Sequence, residues 1–68
     1  MTDDLENRFT YHPPKPGQPE LYHKIREGAL VMAEYWDEHC PDSREKSLAI
    51  TKLEEAVMWA NAAIARHG

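Results

Sequence analysis

The stretch Asp42 to Arg66, DSREKSLAITKLEEAVMWANAAIAR, decides how this chain folds. Ala49, Ile50, Leu53, Ala56, Val57, Ala60, Ala63 and Ile64 recur at i, i+3, i+4 and i+7, the spacing of one helical stripe. Leu48, Met58, Trp59, Ala62 and Ala65 fall outside that stripe, so the helix is apolar around much of its circumference. Such a helix needs partners on more than one side, and a chain of 68 residues is too short to supply them all.

Working back from this helix, Asp42 with Glu45 three positions later forms a D-x-x-E pattern related to the capping box, which places the helix start at residue 42. Cys40-Pro41 ends the preceding element. That element reads as a helix over 19–39, because Pro19 suits the first helical position and Glu20 complements the dipole in the first turn. Leu21, Ile25, Ala29, Met32 and Trp36 mark its expected buried stripe, while Gly28 and Ala33 are small enough to admit another helix. The short connection predicts an antiparallel αα-hairpin of 19–39 and 42–66. Residues 1–18 read as an N-terminal arm. Met1 to Asn7 is acidic and polar, a frayed turn at most, and Pro13, Pro14 and Pro16 forbid helix in the second half of RFTYHPPKPGQ. Phe9 and Tyr11 alternate along this arm, which points to a docked rather than a loose segment. The expectation is one small all-α domain spanning 1–68.

Composition narrows the function. A single cysteine excludes an internal disulfide and any zinc-finger spacing, leaving association between copies as the means of stabilising so small a fold. No apolar run approaches a membrane span, and the N-terminus lacks the pattern of a secretory signal, so a soluble, unexported protein is expected. The net charge of -4 argues against coating DNA or RNA polymers. His12, His23, His39 and His67 form no HExxH or other close pair, and neither GxGxxG nor a P-loop is present, so neither catalysis nor a cofactor is expected. His39-Cys40 reads as a helix cap and a buried small thiol rather than a metal or nucleophile pair.

Two basic features point to an anion ligand. Arg8, Phe9, Tyr11, His12, Lys15, Tyr22, His23, Lys24 and Arg26 combine aromatic faces with localised cations, the two elements a nucleotide requires. On spacing alone the same residues also describe a buried arm beside a solvated helix face. Arg66 near the C-terminal end either complements the helix dipole or, repeated around a symmetry axis, forms an anion site.

The arm FTYHPPK, the YxxIR segment Tyr22 to Arg26, and CPDSREKSLAITKLEEAVMWANAAIAR from Cys40 to Arg66 closely resemble the phage anti-CBASS cyclic-oligonucleotide sponge family. The resemblance implies a helical homo-hexamer that holds cyclic dinucleotides such as cyclic GMP-AMP between protomers. It implies cyclic trinucleotides in separate pockets on the three-fold axes, and action in the cytoplasm of the infected bacterial host. It carries the stacking tyrosine to Tyr11, beside His12, and the phosphate-contacting base to Arg26 with Lys24 its neighbour. The trinucleotide arginine falls on Arg66, and a first-helix position that bears a hydroxyl in the family is Gly28 here. The competing reading from another class is an oligomeric protein-interaction module with no nucleotide ligand.

Overall fold

The computed structural model describes residues 2–68, with side chains from Asp4 onward. Three helices follow in order: α1 at Thr2–Phe9, α2 at Gln18–His39 and α3 at Arg44–His67. With 22 and 24 residues, α2 and α3 are about 33 and 36 Å long and pack on one another as a hairpin.

Half-buried positions on α2 are Tyr22, Ile25, Ala29, Ala33 and Trp36, a 3–4 residue spacing facing α3. The expected stripe was therefore rotated slightly: Leu21 and Met32 are exposed, and Tyr22 and Ala33 take their places. On α3, Ala49, Ile50, Leu53, Val57, Ala60 and Ile64 are half-buried as expected, whereas Ala56 and Ala63 are exposed and Ala62 and Ala65 face inward instead. Gly28 does not serve the approach of α2 to α3, since a Cβ built on it meets nothing within 4 Å.

No apolar side chain among the described residues is fully buried. The chain exposes 5657 Å², where a compact monomer of this size exposes about 4,400 Å². Its radius of gyration is 15.1 Å, against about 11 Å for a compact domain of this length. Extents of 45 × 27 × 12 Å describe a slab one helix thick. Leu48, Met58 and Trp59 lie on its outside, the last two more than 60% exposed. The surplus apolar surface foreseen on α3 is thus present in the folded chain.

The helix ends are specified locally. Gly17 adopts φ 85°, a left-handed conformation that L side chains disfavour, and lets the arm turn into α2. At the other end the Cys40 amide donates to the Trp36 carbonyl at 2.8 Å before Pro41 stops the helix. The cap of α3 is Ser43 rather than Asp42: its Oγ accepts from the Lys46 amide at 3.1 Å. Asp42 is held elsewhere. Lys46 Nζ donates to Asp42 Oδ1 at 2.9 Å and to the Asp37 carbonyl at 2.7 Å, and lies 3.1 Å from Asp37 Oδ1. This clasp pins the interhelical connection to the last turns of α2. Hydrogen bonding to Lys46 pulls the Asp42 carboxyl below its ordinary value, and hydrogen bonds to Asp42 and Asp37 push the Lys46 ammonium above its own.

The arm differs from the sequence expectation at its start. Arg8 and Phe9 lie in the last turn of α1, with Arg8 Nη1 3.5 Å from Asp4 Oδ2 one turn earlier. α1 ends at Phe9 and the chain bends at Thr10, while the prolines keep the arm from His12 onward out of helix.

Candidate functional site

Two polar side chains, Gln18 and Lys15, hold the arm to the hairpin. Gln18, at the start of α2, is 7% exposed and is the buried polar residue of the fold. Its Oε1 accepts from the Lys15 amide at 2.9 Å, and its Nε2 donates to the Ile64 carbonyl at 3.3 Å near the end of α3. Lys15 Nζ adds a bond to the Gly68 carbonyl at 2.6 Å. The arm is docked, as the alternating aromatics implied, yet polar contacts dock it and not the rings: Phe9 and Tyr11 are each about 80% exposed. Sequence reading missed Gln18, whose only signal was its place between Gly17 and Pro19.

His12 Nε2 donates to the Asn7 carbonyl at 2.6 Å, since a carbonyl can only accept. The imidazole therefore ties the arm back to the last turn of α1 and leaves Nδ1 available. Tyr11, its neighbour, projects from the extended segment with its ring uncovered.

The two candidate bases on α2 occupy different environments. Lys24 lies on an open shelf with Pro19, Glu20, His23 and Glu27, where His23 Nε2 is 3.0 Å from Glu27 Oε1. Two carboxylates beside Lys24 make that shelf unfavourable to phosphate. Arg26 instead lines a groove of about 330 Å³ between the helices, formed with Tyr22, Asn61, Ala62 and Ala65. This volume is at the small end of ligand pockets, which run from about 300 to 1,000 Å³. The groove is shallow and open to solvent, so a ligand seated in it stays largely uncovered by this chain. The groove is lined from α2 and α3 alone, so the chain does not itself bring Tyr11 onto Arg26.

Asn61 is the second residue that sequence reading missed. The residue lines the groove, and its Oδ1, closed off from solvent, has no hydrogen-bond partner among the described residues. An unpaired buried acceptor costs about 1–3 kcal/mol. The signal was visible: an amide stands among Ala60, Ala62 and Ala63, each a better helix former.

Arg66 is half-buried in another groove, of about 200 Å³, with Trp59, Ala62, Ala63 and His67. Of the two sets of lining residues only Ala62 is shared, so Arg26 and Arg66 line adjoining but separate grooves. Gly28 lies on the exposed face of α2 and joins neither groove.

The His39 ring lies 4.2 Å from that of Tyr35, centroid to centroid. Cys40 is an exposed free cysteine, in place of the buried thiol expected, because the chain turns outward at Pro41. Among the described residues no three His, Cys, Asp or Glu side chains are grouped to hold a metal ion, and no helix is long and apolar enough to cross a membrane.

A family model described as Acb2/Tad1, hairpin domain, matches residues 1–65, which takes in the arm, α2 and all but the end of α3. No curated protein and no solved structure matches the chain.

Proposed function

Because the chain belongs to the Acb2/Tad1 hairpin family, the anti-CBASS sponge family whose motifs its arm and helices carry, we propose that it binds and sequesters cyclic oligonucleotides without degrading them. The observation that carries the reading is the match over residues 1–65, and the groove around Arg26 supports it with a cation beside an aromatic ring. The proposed ligands are cyclic dinucleotides such as cyclic GMP-AMP. Arg26 meets a phosphate with its planar fork and Tyr11 stacks on a base with His12 beside it, while Lys24, on its carboxylate-flanked shelf, is left out of the phosphate contact. Cyclic trinucleotides are proposed for the separate groove around Arg66, next to Gly28 of a neighbouring copy.

Assembly follows from the same surfaces. Tyr11 and Arg26 meet only if the arm of one copy reaches the groove of another, and a homo-hexamer both covers Leu48, Met58 and Trp59 and builds sites between protomers. Sequestration needs no turnover. Abundance and tight binding suffice to lower the free concentration of an immune messenger, which fits a phage protein acting in the cytoplasm of its bacterial host.

Charge reversal tests the assignment. Arg26→Glu places like charge against phosphate and is expected to abolish cyclic dinucleotide binding, while Arg66→Glu weakens cyclic trinucleotide binding alone. Titration of both variants with both ligand classes, with oligomer mass measured by light scattering, decides it. If either substitution removes both activities from an intact assembly, the two grooves are one pocket.

A further inference from the structure

We propose that α1 of one copy docks in an apolar furrow of another, beside its Arg26 groove, with Leu5 and Phe9 as anchors and the C-terminal end of α1 toward Arg26. This contact deepens the sponge reading above and rests on it, since it supplies the route by which Tyr11 arrives beside Arg26.

Both halves of the contact are unpartnered in the single chain. Leu5 and Phe9, one turn apart on α1, are 47% and 81% exposed. The furrow, of about 470 Å³, runs between α2 and α3 and takes no lining from the described part of α1. Its floor is half-buried, with Ala29 and Ala33 facing Leu53 and Val57. Its rims are exposed, Arg26 and Leu30 on the α2 side and Glu54 and Met58 on the α3 side. Within its own chain α1 lies off this furrow, tied to the arm by His12 donating to the Asn7 carbonyl, while Lys15 ties the arm to Gly68 beyond the end of α3. The occupant is therefore the α1 of a second copy.

Length and charge fix the pose. Arg26 and Ala33 are about 10 Å apart along α2, and Leu5 and Phe9 about 6 Å apart along α1, so both anchors fit in one furrow. At about 100° per residue in a right-handed helix, Arg8 lies on one flank of the Leu5–Phe9 stripe and Glu6 on the other. With α1 parallel to α3, so that Phe9 sits between Arg26 and Met58, the Arg8 flank faces the α3 rim, where Glu54 joins the exposed Arg8–Asp4 pair. Reversed, α1 sets Glu6 against Glu54 and the two repel. The favoured pose leaves Glu6 level with Leu30, a turn short of Arg26, so that guanidinium stays open to phosphate. Tyr11 follows Phe9 within about 7 Å, and Arg26 borders furrow and groove alike, so the docked arm delivers the ring to the groove.

Disulfide trapping tests the pose in a Cys40→Ser background. On mild oxidation, Arg8→Cys combined with Glu54→Cys is expected to join chain to chain at least about fivefold more than Arg8→Cys combined with Leu30→Cys on the opposite rim. Phe9→Asp, at a position exposed in the single chain, is expected to keep its helicity and to raise the dissociation constant of the assembly at least about tenfold by light scattering. A link closed within single chains, equal linking of both pairs, no linking of either, or an assembly unaltered by Phe9→Asp overturns the contact and leaves the sponge reading standing. Wild-type protein that binds no cyclic dinucleotide while the Arg8–Glu54 link forms overturns the sponge reading instead, and with it the role given to Tyr11.

Discussion

Replacing Gln18 by alanine removes the one side chain that joins the arm, the start of α2 and the end of α3. Two bonds are lost, from the Lys15 amide at 2.9 Å and to the Ile64 carbonyl at 3.3 Å. At about 1 kcal/mol for the first and less for the longer second, with the lost packing of a 7% exposed side chain, the expected destabilisation is about 2 kcal/mol. In a domain of this length that corresponds to a fall in Tm of about 8–16 °C. The Ile64 carbonyl keeps its bond from the Gly68 amide at 2.9 Å, so α3 does not fray further. Thermal unfolding followed by circular dichroism at fixed protein concentration reads the effect, since any association between copies makes Tm concentration-dependent. Gln18→Glu sharpens the test. It retains the acceptor for Lys15 but sets a carboxylate oxygen against the Ile64 carbonyl, so at pH 7 it should be no more stable than the alanine variant. Burial against that carbonyl raises the carboxyl's pKa, and the deficit should shrink as the pH falls and the protonated acid donates to Ile64. A Gln18→Ala protein with Tm unchanged within 1 °C, and no faster exchange of the Lys15 amide, would refute the role assigned to Gln18.

Three further expectations follow from the geometry. Tyr11→Ala loses a base-stacking contact of about 1–3 kcal/mol, read by calorimetry as about a 5- to 150-fold weaker Kd for cyclic dinucleotide with helicity and oligomer mass unchanged; unaltered binding would leave Tyr11 no part in the site. Ser43→Ala removes the α3 cap and should cost about 1 kcal/mol in chemical denaturation, whereas Asp42→Ala leaves that cap intact and acts only through the clasp. Lys46→Met opens the clasp and lowers Tm at pH 7. Because the Asp42 carboxyl lies below its ordinary 3.8, its contribution holds above that pH and fades as the pH drops through the lowered value; the raised Lys46 ammonium fades only above 10.5. The Tm gap between wild type and Lys46→Met should therefore stay constant from about pH 5 to pH 9 and narrow in stronger acid; a gap that opens and closes near pH 7 would assign the effect to another group.

The hairpin was legible because its punctuation is chemical: Pro19 and Pro41 bound α2, and the apolar spacing of α3 runs for several turns. Which face of each helix turned inward was less so. On helices that are apolar nearly all round, Leu21 and Tyr22 compete for the same side, and the competition is settled by small α3 residues, Ala62 and Ala65, that leave space opposite Tyr22. Gln18 escaped notice since its burial depends on the end of α3, forty-six residues away. Asp42 was taken for the cap because its pattern with Glu45 is local, whereas its actual partner, Lys46, also reaches back to Asp37 across the connection. Of the candidate site, Arg26 and Arg66 stand in grooves, Lys24 stands among carboxylates, and Gly28 stands in the open. Tyr11 and Arg26 are not joined within one chain, and the meeting proposed for them rests on an assembly that no single-chain pattern encodes.

Binding without turnover can be checked in a single experiment. Purified protein is titrated with cyclic GMP-AMP by isothermal calorimetry, and the saturated complex is then denatured and its nucleotide resolved by chromatography. A saturating isotherm is expected, with loss of that isotherm in Arg26→Glu and recovery of the nucleotide as the intact cyclic species in the amount bound. Absence of binding heat across cyclic dinucleotides and trinucleotides alike, or recovery of linear products, would contradict it.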